Sequence, residues 1–218
     1  MRPFPFLFED EHLLVVAKPA GILSVPDPGA GVTSVPELLA EHGLEVLAVH
    51  RLDREVSGVL LLARDAATRD RLQDQFRAGL VRKLYWGMAS GALEPPAGEL
   101  HFPILEEAQG ARVSARGKPA RTRYRTLACF AAASELELEL LTGRKNQIRV
   151  HLAHAGHALV GERKYARGRD AVLPLRSRRV ALHAWQLAFA HPVDGKKLEL
   201  EAPLPDDLVE LRARAQQG

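Results

Sequence analysis

The feature that most constrains the fold is a polar cluster at residues 50–56 that runs directly into an apolar segment. The cluster reads His-Arg-Leu-Asp-Arg-Glu-Val, and after Ser57 and Gly58 the chain continues Val-Leu-Leu-Leu-Ala as far as Ala63. An unbroken apolar run of this length, bounded by a glycine and by Arg64, predicts a strand buried on both faces. A polar turn attached to such a strand is a rigid mount for catalytic side chains.

The order of residues within the cluster predicts two faces. If the segment is extended, Arg51 and Asp53 lie on one face, while His50 and Leu52 lie on the other. The first face then carries a cation and a carboxylate, and the second packs.

Residues 50–58 resemble the H-R-L-D-x-x-T-S-G signature of the RluA-like pseudouridine synthases, which isomerise uridine in ribosomal and transfer RNA. Val56 stands where the family has Thr, so a hydrogen bond from that hydroxyl is absent here. The resemblance implies that Asp53 is the catalytic residue and that Arg51 enters the space vacated by a flipped base. Matching segments run from about residue 9 to residue 208.

A second matching segment begins at Lys83. Lys83-Leu84-Tyr85 is similar to the family's K-x-Y-x-A element, with Gly87 in place of the Ala. The resemblance implies that Tyr85 stacks on the target base. Considered without the resemblance, a Tyr in a strand is more typically a core residue with its hydroxyl at the rim.

A third matching segment, residues 142–152, is similar to the family's T-G-R-x-H-Q-I-R-x-H-L, with Asn146 in place of the first His. The resemblance implies that Arg149 pairs with Asp53, and a guanidinium would keep that carboxylate ionised and oriented. From the residues alone, Arg149 could equally pair with another acid. We expect Ile148 to support the site, and we expect RNA contacts from three cationic or ionisable residues: Arg144, Lys145 and His50.

The predicted elements mix helices and hairpin strands without strict βα alternation, which predicts an α+β fold with a mostly antiparallel mixed sheet flanked by helices. The same architecture is implied by the resemblance. Ser34 begins a capping box and Asp65 can cap a second helix that buries Leu72 and Phe76. Leucines alternate with glutamates at residues 135–141, which predicts a strand with its leucines inward, and Asp194-Gly195 predicts a two-residue hairpin.

We expect residues 1–218 to form a single catalytic domain. Leu13 already opens the matching pattern, so a separate N-terminal RNA-binding domain is not expected. The net charge is only +3, but cations cluster in residues 116–125 and 163–179. Such runs predict a basic face for RNA, although each could be only a solvated loop.

Other classes of site are disfavoured. Cys129 is the single cysteine, which excludes a disulfide within the chain and predicts a small buried residue. His151, His154 and His157 lack the spacing of a zinc helix pair, so we expect no metal. The chain has no P-loop or dinucleotide motif and the implied reaction needs no cofactor. With no signal peptide or apolar span apparent, we expect a cytoplasmic protein. We also expect it to be a monomer.

Two rival functions belong to other classes. A hydrolytic nucleosidase would need two carboxylates flanking the N-glycosidic bond. Only Asp53 lies in a motif, and Glu55, two residues further on, should lie away from the bond that reacts. A non-catalytic RNA-binding module would keep the basic runs without needing Asp53.

Overall fold

The computed structural model describes residues 2–166 and 175–217, and the chain divides into two compact units. The first unit comprises Met1–Lys83 and Ala184–Pro203, and the second comprises Leu84–His183 and Leu204–Gly218. Both mix helices with antiparallel strands, so the α+β prediction is confirmed. That residues 1–218 form a single folding domain stays a prediction.

The first unit is built on a sheet in the order β1-β2-β4-β11, with β3 paired to β4 and β12 paired to β11. Its strands are β1 (Phe6–Glu9), β2 (Leu13–Lys18), β3 (Leu47–Ala48), β4 (Ser57–Ala63), β11 (Leu182–Ala190) and β12 (Lys197–Glu201). Every residue of β4 is buried, which confirms the central strand that the apolar run predicts.

Two helices accompany this sheet, α1 (Val35–Ala40) and α2 (Ala66–Arg77). The predicted capping box is present, because Ser34 accepts from the Glu37 amide while the Glu37 carboxylate accepts from the Ser34 amide. Asp65 caps α2 through the Thr68 amide, as predicted. Leu72 is fully buried in a core cluster, with Phe76 packed against its edge.

The second unit has a sheet in the order β5-β10-β9-β6 and a separate β7-β8 hairpin. The strands are β5 (Arg82–Ser90), β6 (Ala97–His101), β7 (Ile104–Glu107), β8 (Gly110–Val113), β9 (Arg121–Cys129) and β10 (Ala133–Leu140). Helix α3 (Gln147–His154) follows β10, and α4 (Asp206–Gln217) ends the unit. A small core of Ile104, Ala111, Ala120 and Val150 joins the hairpin to α3.

Several local predictions are wrong. The connection between β11 and β12 is not a two-residue hairpin, because Ala190 pairs with Lys197 and the His191 amide donates to the Lys196 carbonyl. Cys129 is exposed rather than buried, since it ends a strand whose residues alternate between exposed and less exposed positions. Glu135 is buried despite the alternation of β10. None of the described helices has a stretch long and apolar enough to span a bilayer.

Candidate active site

Asp53 lies in a tight turn that leads into β4. The Val56 amide donates to the Asp53 carbonyl at 3.0 Å, which closes the turn over Arg54 and Glu55. Arg51 is exposed, Leu52 is buried and Asp53 is partly buried, so the predicted alternation around the carboxylate is confirmed.

A second turn, at residues 18–24, holds the Asp53 turn from the side. The Gly21 amide donates to the Arg54 carbonyl at 2.7 Å, and this approach uses a left-handed backbone at Gly21, with φ of +93°. The Lys18 side chain is 1% exposed, and its ammonium donates to the carbonyls of Pro19 at 2.9 Å and Ile22 at 2.8 Å, and more distantly to that of Arg54 at 3.4 Å. The turn therefore holds the segment after Asp53 in place.

Ser24 holds the residue on the other side of Asp53. Its Oγ donates to the Leu52 carbonyl and accepts from the Leu52 amide, both at 2.9 Å. The roles of Lys18 and Ser24 in holding this turn were not predicted from the sequence. The Lys-Pro-Ala-Gly pattern signals a turn, but no sequence pattern shows which carbonyls such a turn will reach.

The Ser-Gly break before β4 has a steric cause. Gly58 has a φ of +125°, and a Cβ at this position would lie 2.1 Å from the carbonyl oxygen of Ala184 in β11. Only glycine allows this close approach of two strands, which fixes where β4 begins relative to β11.

His50 points into the packed side of the cluster. Its Nε2 accepts a hydrogen bond from the Leu61 amide at 3.0 Å, and its ring stacks on Phe76 with centroids 4.9 Å apart. Burial, together with the nearby Lys83 ammonium, lowers the pKa of His50 to about 3, so the ring is neutral at physiological pH. These contacts give His50 a packing role, while its expected RNA contact stays a prediction.

Tyr85 lies on β5 and is 8% exposed. The next residue, Trp86, is anchored by its indole N–H to the Glu135 carboxylate at 2.7 Å, and Arg212 of α4 donates to the same carboxylate at 3.0 Å. Burial lowers the pKa of Lys83, two residues before Tyr85. β5 is thus held tightly at the residue beside Tyr85.

Helix α3 presents Arg149 from its first turn. Asn146 precedes the helix in a left-handed conformation, with φ of 54°, and its side chain donates to the Tyr165 hydroxyl at 2.6 Å. Ile148 is 3% exposed and lies next to Arg149, which is also buried. Leu152, one turn further along the helix, is also buried, whereas Ala155 is exposed because the helix ends at His154.

Arg149 is clamped by a buried acid that sequence reasoning did not assign. Its Nε and Nη2 donate to the two carboxylate oxygens of Glu162 at 2.7 and 2.9 Å, and the Glu162 side chain is 0% exposed. Burial raises the pKa of Glu162, but the Arg149 guanidinium and backbone amides outweigh burial and hold that pKa below its usual value. An ionised fork therefore orients Arg149. The expected pairing of Arg149 with Asp53 stays a prediction.

Arg144 and Lys145 contact the protein itself. The Arg144 Nε donates to the Pro119 carbonyl at 3.1 Å, and the Lys145 ammonium donates to the carbonyls of Glu107 and Ala108 at 3.0 Å each. The Lys145 bonds fasten the segment before α3 to the β7-β8 hairpin, and the Arg144 bond fastens it to the loop before β9. They neither establish nor oppose the expected RNA contacts.

The basic runs are partly neutralised. Arg121, Arg123 and Arg125 form ion pairs with glutamates on the neighbouring strands, namely Glu99, Glu139 and Glu137. In the second run, Arg179 forms a bidentate pair with Asp207. Arg167 and Arg169 lie outside the described residues. Three arginines of residues 116–125 are therefore ion-paired, and the expected basic face stays a prediction.

The three histidines that invite a metal interpretation have other partners. His151 is buried between the Thr122 hydroxyl at 3.0 Å and the Phe102 carbonyl at 2.9 Å, and His157 contacts the Ser90 carbonyl at 2.9 Å. The His154 ring lies edge-on to Phe102. Within residues 2–166 and 175–217, acids, histidines and cysteine form no cluster suited to a metal ion.

Comparison with known proteins gives matches along the chain. The family described as RNA pseudouridylate synthase matches residues 12–154. Ribosomal large subunit pseudouridine synthase D of Nitrosomonas europaea is 38% identical over 225 residues, covering 96% of this chain and 64% of that protein. Synthase C of Vibrio cholerae is 34% identical over 218 residues, with 97% and 69% covered. The chain thus spans less than two thirds of the Nitrosomonas relative.

A solved structure gives the same picture at the level of the fold. Human RNA pseudouridylate synthase domain containing 4 superposes with a TM-score of 0.81 at 27% identity, and the match covers 96% of this chain and 92% of that one.

Proposed function

Because this chain belongs to the RNA pseudouridylate synthase family, we propose that it isomerises uridine to pseudouridine in structured RNA, with ribosomal RNA as the first candidate substrate. The observation that carries the proposal is the family match over residues 12–154, which includes Asp53 in its pinned turn. The names of the bacterial relatives, which refer to the ribosomal large subunit, favour ribosomal over transfer RNA.

The reaction breaks the N-glycosidic bond, turns the uracil while it is held, and joins C5 to C1′. C5 loses its proton and N1 gains one, so atoms balance without a cofactor. Asp53 acts on the ribose, by attacking C1′ or by removing the C2′ proton. Both routes need an ionised carboxylate with a fixed direction, and the bonds to Leu52 and Arg54 support such a fixed position.

The remaining site residues receive proposed roles from the family. Arg149 holds the Asp53 carboxylate, and the Glu162 fork supports this by orienting the guanidinium. A double-mutant cycle on stability tests the pair, and coupling near zero between Arg149 and Asp53 contradicts it. Tyr85 stacks on the target base, with Ile148 beside Arg149 as apolar support.

RNA contacts are proposed for Arg51, Arg144, Lys145 and His50. A stacked base cannot be reached in place, so the target uridine is flipped out, and Arg51 fills the gap. The exposure of Arg51 and the planar guanidinium, which stacks on bases, support that role. Ribosomal RNA as substrate would place the protein in the cytoplasm, and we expect it to act as a monomer.

RNA carrying tritium at uridine C5 separates the proposal from its rivals. Isomerisation releases tritium while the base stays attached, hydrolysis releases free uracil, and a binding module releases neither. We expect tritium release on ribosomal RNA isolated from cells that lack the gene. Free uracil, or no release from any structured RNA, contradicts the proposed function.

A further inference from the structure

Ser24 is a buried residue whose side chain makes two hydrogen bonds to a single distant residue. Its residue is 2% exposed, and its single hydroxyl both donates to the carbonyl of Leu52 and accepts from the amide of that same residue. Both main-chain groups of Leu52 are thereby satisfied by one oxygen from a loop 28 residues earlier. Leu52 immediately precedes Asp53, so these two bonds fix the peptide from which the carboxylate projects.

Residues 18–24 hold the chain on both sides of Asp53, an arrangement that we call the clamp. The bonds of Ser24 to Leu52 form its first point. The second lies after Asp53, where the Arg54 carbonyl accepts from the Gly21 amide at 2.7 Å and, at 3.4 Å, from the buried Lys18 ammonium. Both points come from the same short turn, residues 18–24. Asp53 is therefore held on both sides by one segment that contributes no side-chain carboxylate of its own.

We propose that Ser24 is a positioning residue for Asp53, setting the direction of its carboxylate through Leu52. The proposal rests on the proposed function for its kinetic consequence, but its structural part stands without it. A side chain needed only for stability could hold any part of the turn. Ser24 instead holds both main-chain groups of Leu52, the residue directly before Asp53, where a small displacement of the carboxylate affects the reaction directly.

The test is Ser24→Ala, which removes one oxygen and leaves the chain otherwise unchanged. We expect the kcat for tritium release to fall on the order of tenfold to a hundredfold, the loss typical of a misplaced reacting group, while the KM for RNA is unchanged. Ser24→Thr keeps the hydroxyl and should recover most of the kcat. The matched control is Ser134→Ala, which removes an equally buried hydroxyl that donates to the Gly91 carbonyl in the second unit.

Amide hydrogen exchange provides a readout that does not depend on catalysis. Ser24→Ala should speed exchange at Leu52 and Val56 while the amides of β4 keep their protection. A wild-type protein without tritium release overturns the proposed function, and exchange then still decides whether the clamp exists. Normal kcat with only a lower melting temperature, or unchanged exchange at Leu52 and Val56, overturns the role of Ser24.

Discussion

His50 illustrates how a residue of a sequence motif can contribute to the scaffold that holds the motif. Its Nε2 accepts from the Leu61 amide, a role open only to the neutral ring, and Phe76 covers one ring face. With a pKa of about 3 in the folded protein and about 6.5 when unfolded, the unfolded state binds more protons between these values. The stability that His50 contributes is therefore present above about pH 6.5 and declines as the pH falls below it.

This linkage predicts that stability falls as the pH is lowered, and that replacing His50 removes this part of the pH dependence. Between about pH 7 and about pH 5.5, His50 should lower the free energy of unfolding by roughly 1 kcal/mol. Urea unfolding at both pH values should show that the free energy of unfolding of His50→Gln changes less with pH than that of the wild type, by this amount. His42→Gln, a change at an exposed histidine, should keep the wild-type dependence. Identical pH dependence for wild type and His50→Gln would contradict a ring that is partly buried and neutral in the folded protein.

Replacing Arg149 measures the cost of leaving the buried Glu162 carboxylate without its cationic partner. Arg149→Ala leaves the Glu162 carboxylate without its main partner at 0% exposure, so the free energy of unfolding should fall by about 3–5 kcal/mol. Arg123→Ala is the control, because its pair with Glu139 is more than half exposed on the arginine side and should be worth at most about 1 kcal/mol. Thermal and urea unfolding measure both. Equal losses would show that the Arg149 fork contributes no more than a surface pair.

At the scale of elements, three neighbouring strands share a ladder of ion pairs. Arg121 pairs with Glu99, while Arg123 and Arg125 pair with Glu139 and Glu137 across the β9-β10 register. Opposite charges placed directly across antiparallel strands attract each other and offset each other's field. This face therefore offers less net positive charge to a phosphate backbone than the sequence of β9 suggests.

The ladder predicts which arginines contribute to RNA binding. Arg51→Gln should reduce the slope of log affinity against log salt by about one charge, because it removes a cation exposed beside Asp53. Arg123→Gln should leave the slope unchanged, since that cation is already paired with Glu139. Filter binding to the substrate RNA over a range of salt concentrations measures both. A larger effect from Arg123 would place the RNA on the ladder instead.

The elements also show what the sequence could predict. Local signals sufficed for α1 and α2, because a cap such as Asp65 bonds to amides within one turn. They sufficed for β4, whose apolar run needs no knowledge of its neighbours. They failed for Glu135, because the groups that bury it, Trp86 and Arg212, lie 49 and 77 residues away. The hairpin after β11 failed for a similar reason: His191 is held by Asp10, near the other end of the chain.

In the candidate site, too, local sequence signals identify some features, while contacts between distant parts of the chain determine the others. The family motifs identify Asp53, Arg149 and Tyr85 as residues, but they carry no information on what orients them. Ser24, which bonds to the neighbour of Asp53, and Glu162, which bonds to Arg149, lie outside the segments that the motifs emphasise. Their roles depend on loops meeting across the fold, and those meetings are visible only in the structure.

At the scale of the whole molecule, each unit is discontinuous in sequence. The first unit needs Ala184–Pro203 in addition to its first 83 residues, and Leu187 and Phe189 of that late segment pack in one core cluster with Leu13 and Leu61. The core of this unit cannot be completed until most of the chain has been synthesised. Substitutions late in the chain should therefore destabilise early strands.

Phe189→Ala tests this dependence. Phe189 is 2% exposed, and its truncation should lower the free energy of unfolding by about 3–5 kcal/mol. Hydrogen exchange should show faster opening of β2, which precedes Phe189 by more than 160 residues of sequence. Val193→Ala, at a position 54% exposed, should change stability by less than about 0.5 kcal/mol. A loss confined to β11 and β12 would contradict a shared core.

The central claim, that Asp53 carries out the isomerisation of uridine, is tested most directly by tritium release from C5-labelled RNA with Asp53→Asn. The substitution keeps the shape of the side chain and removes its charge, so RNA binding should persist while tritium release falls to background. Glu55→Gln, the neighbouring carboxylate of the same turn, should retain activity. Tritium release by Asp53→Asn at a rate near that of the wild type would contradict the account.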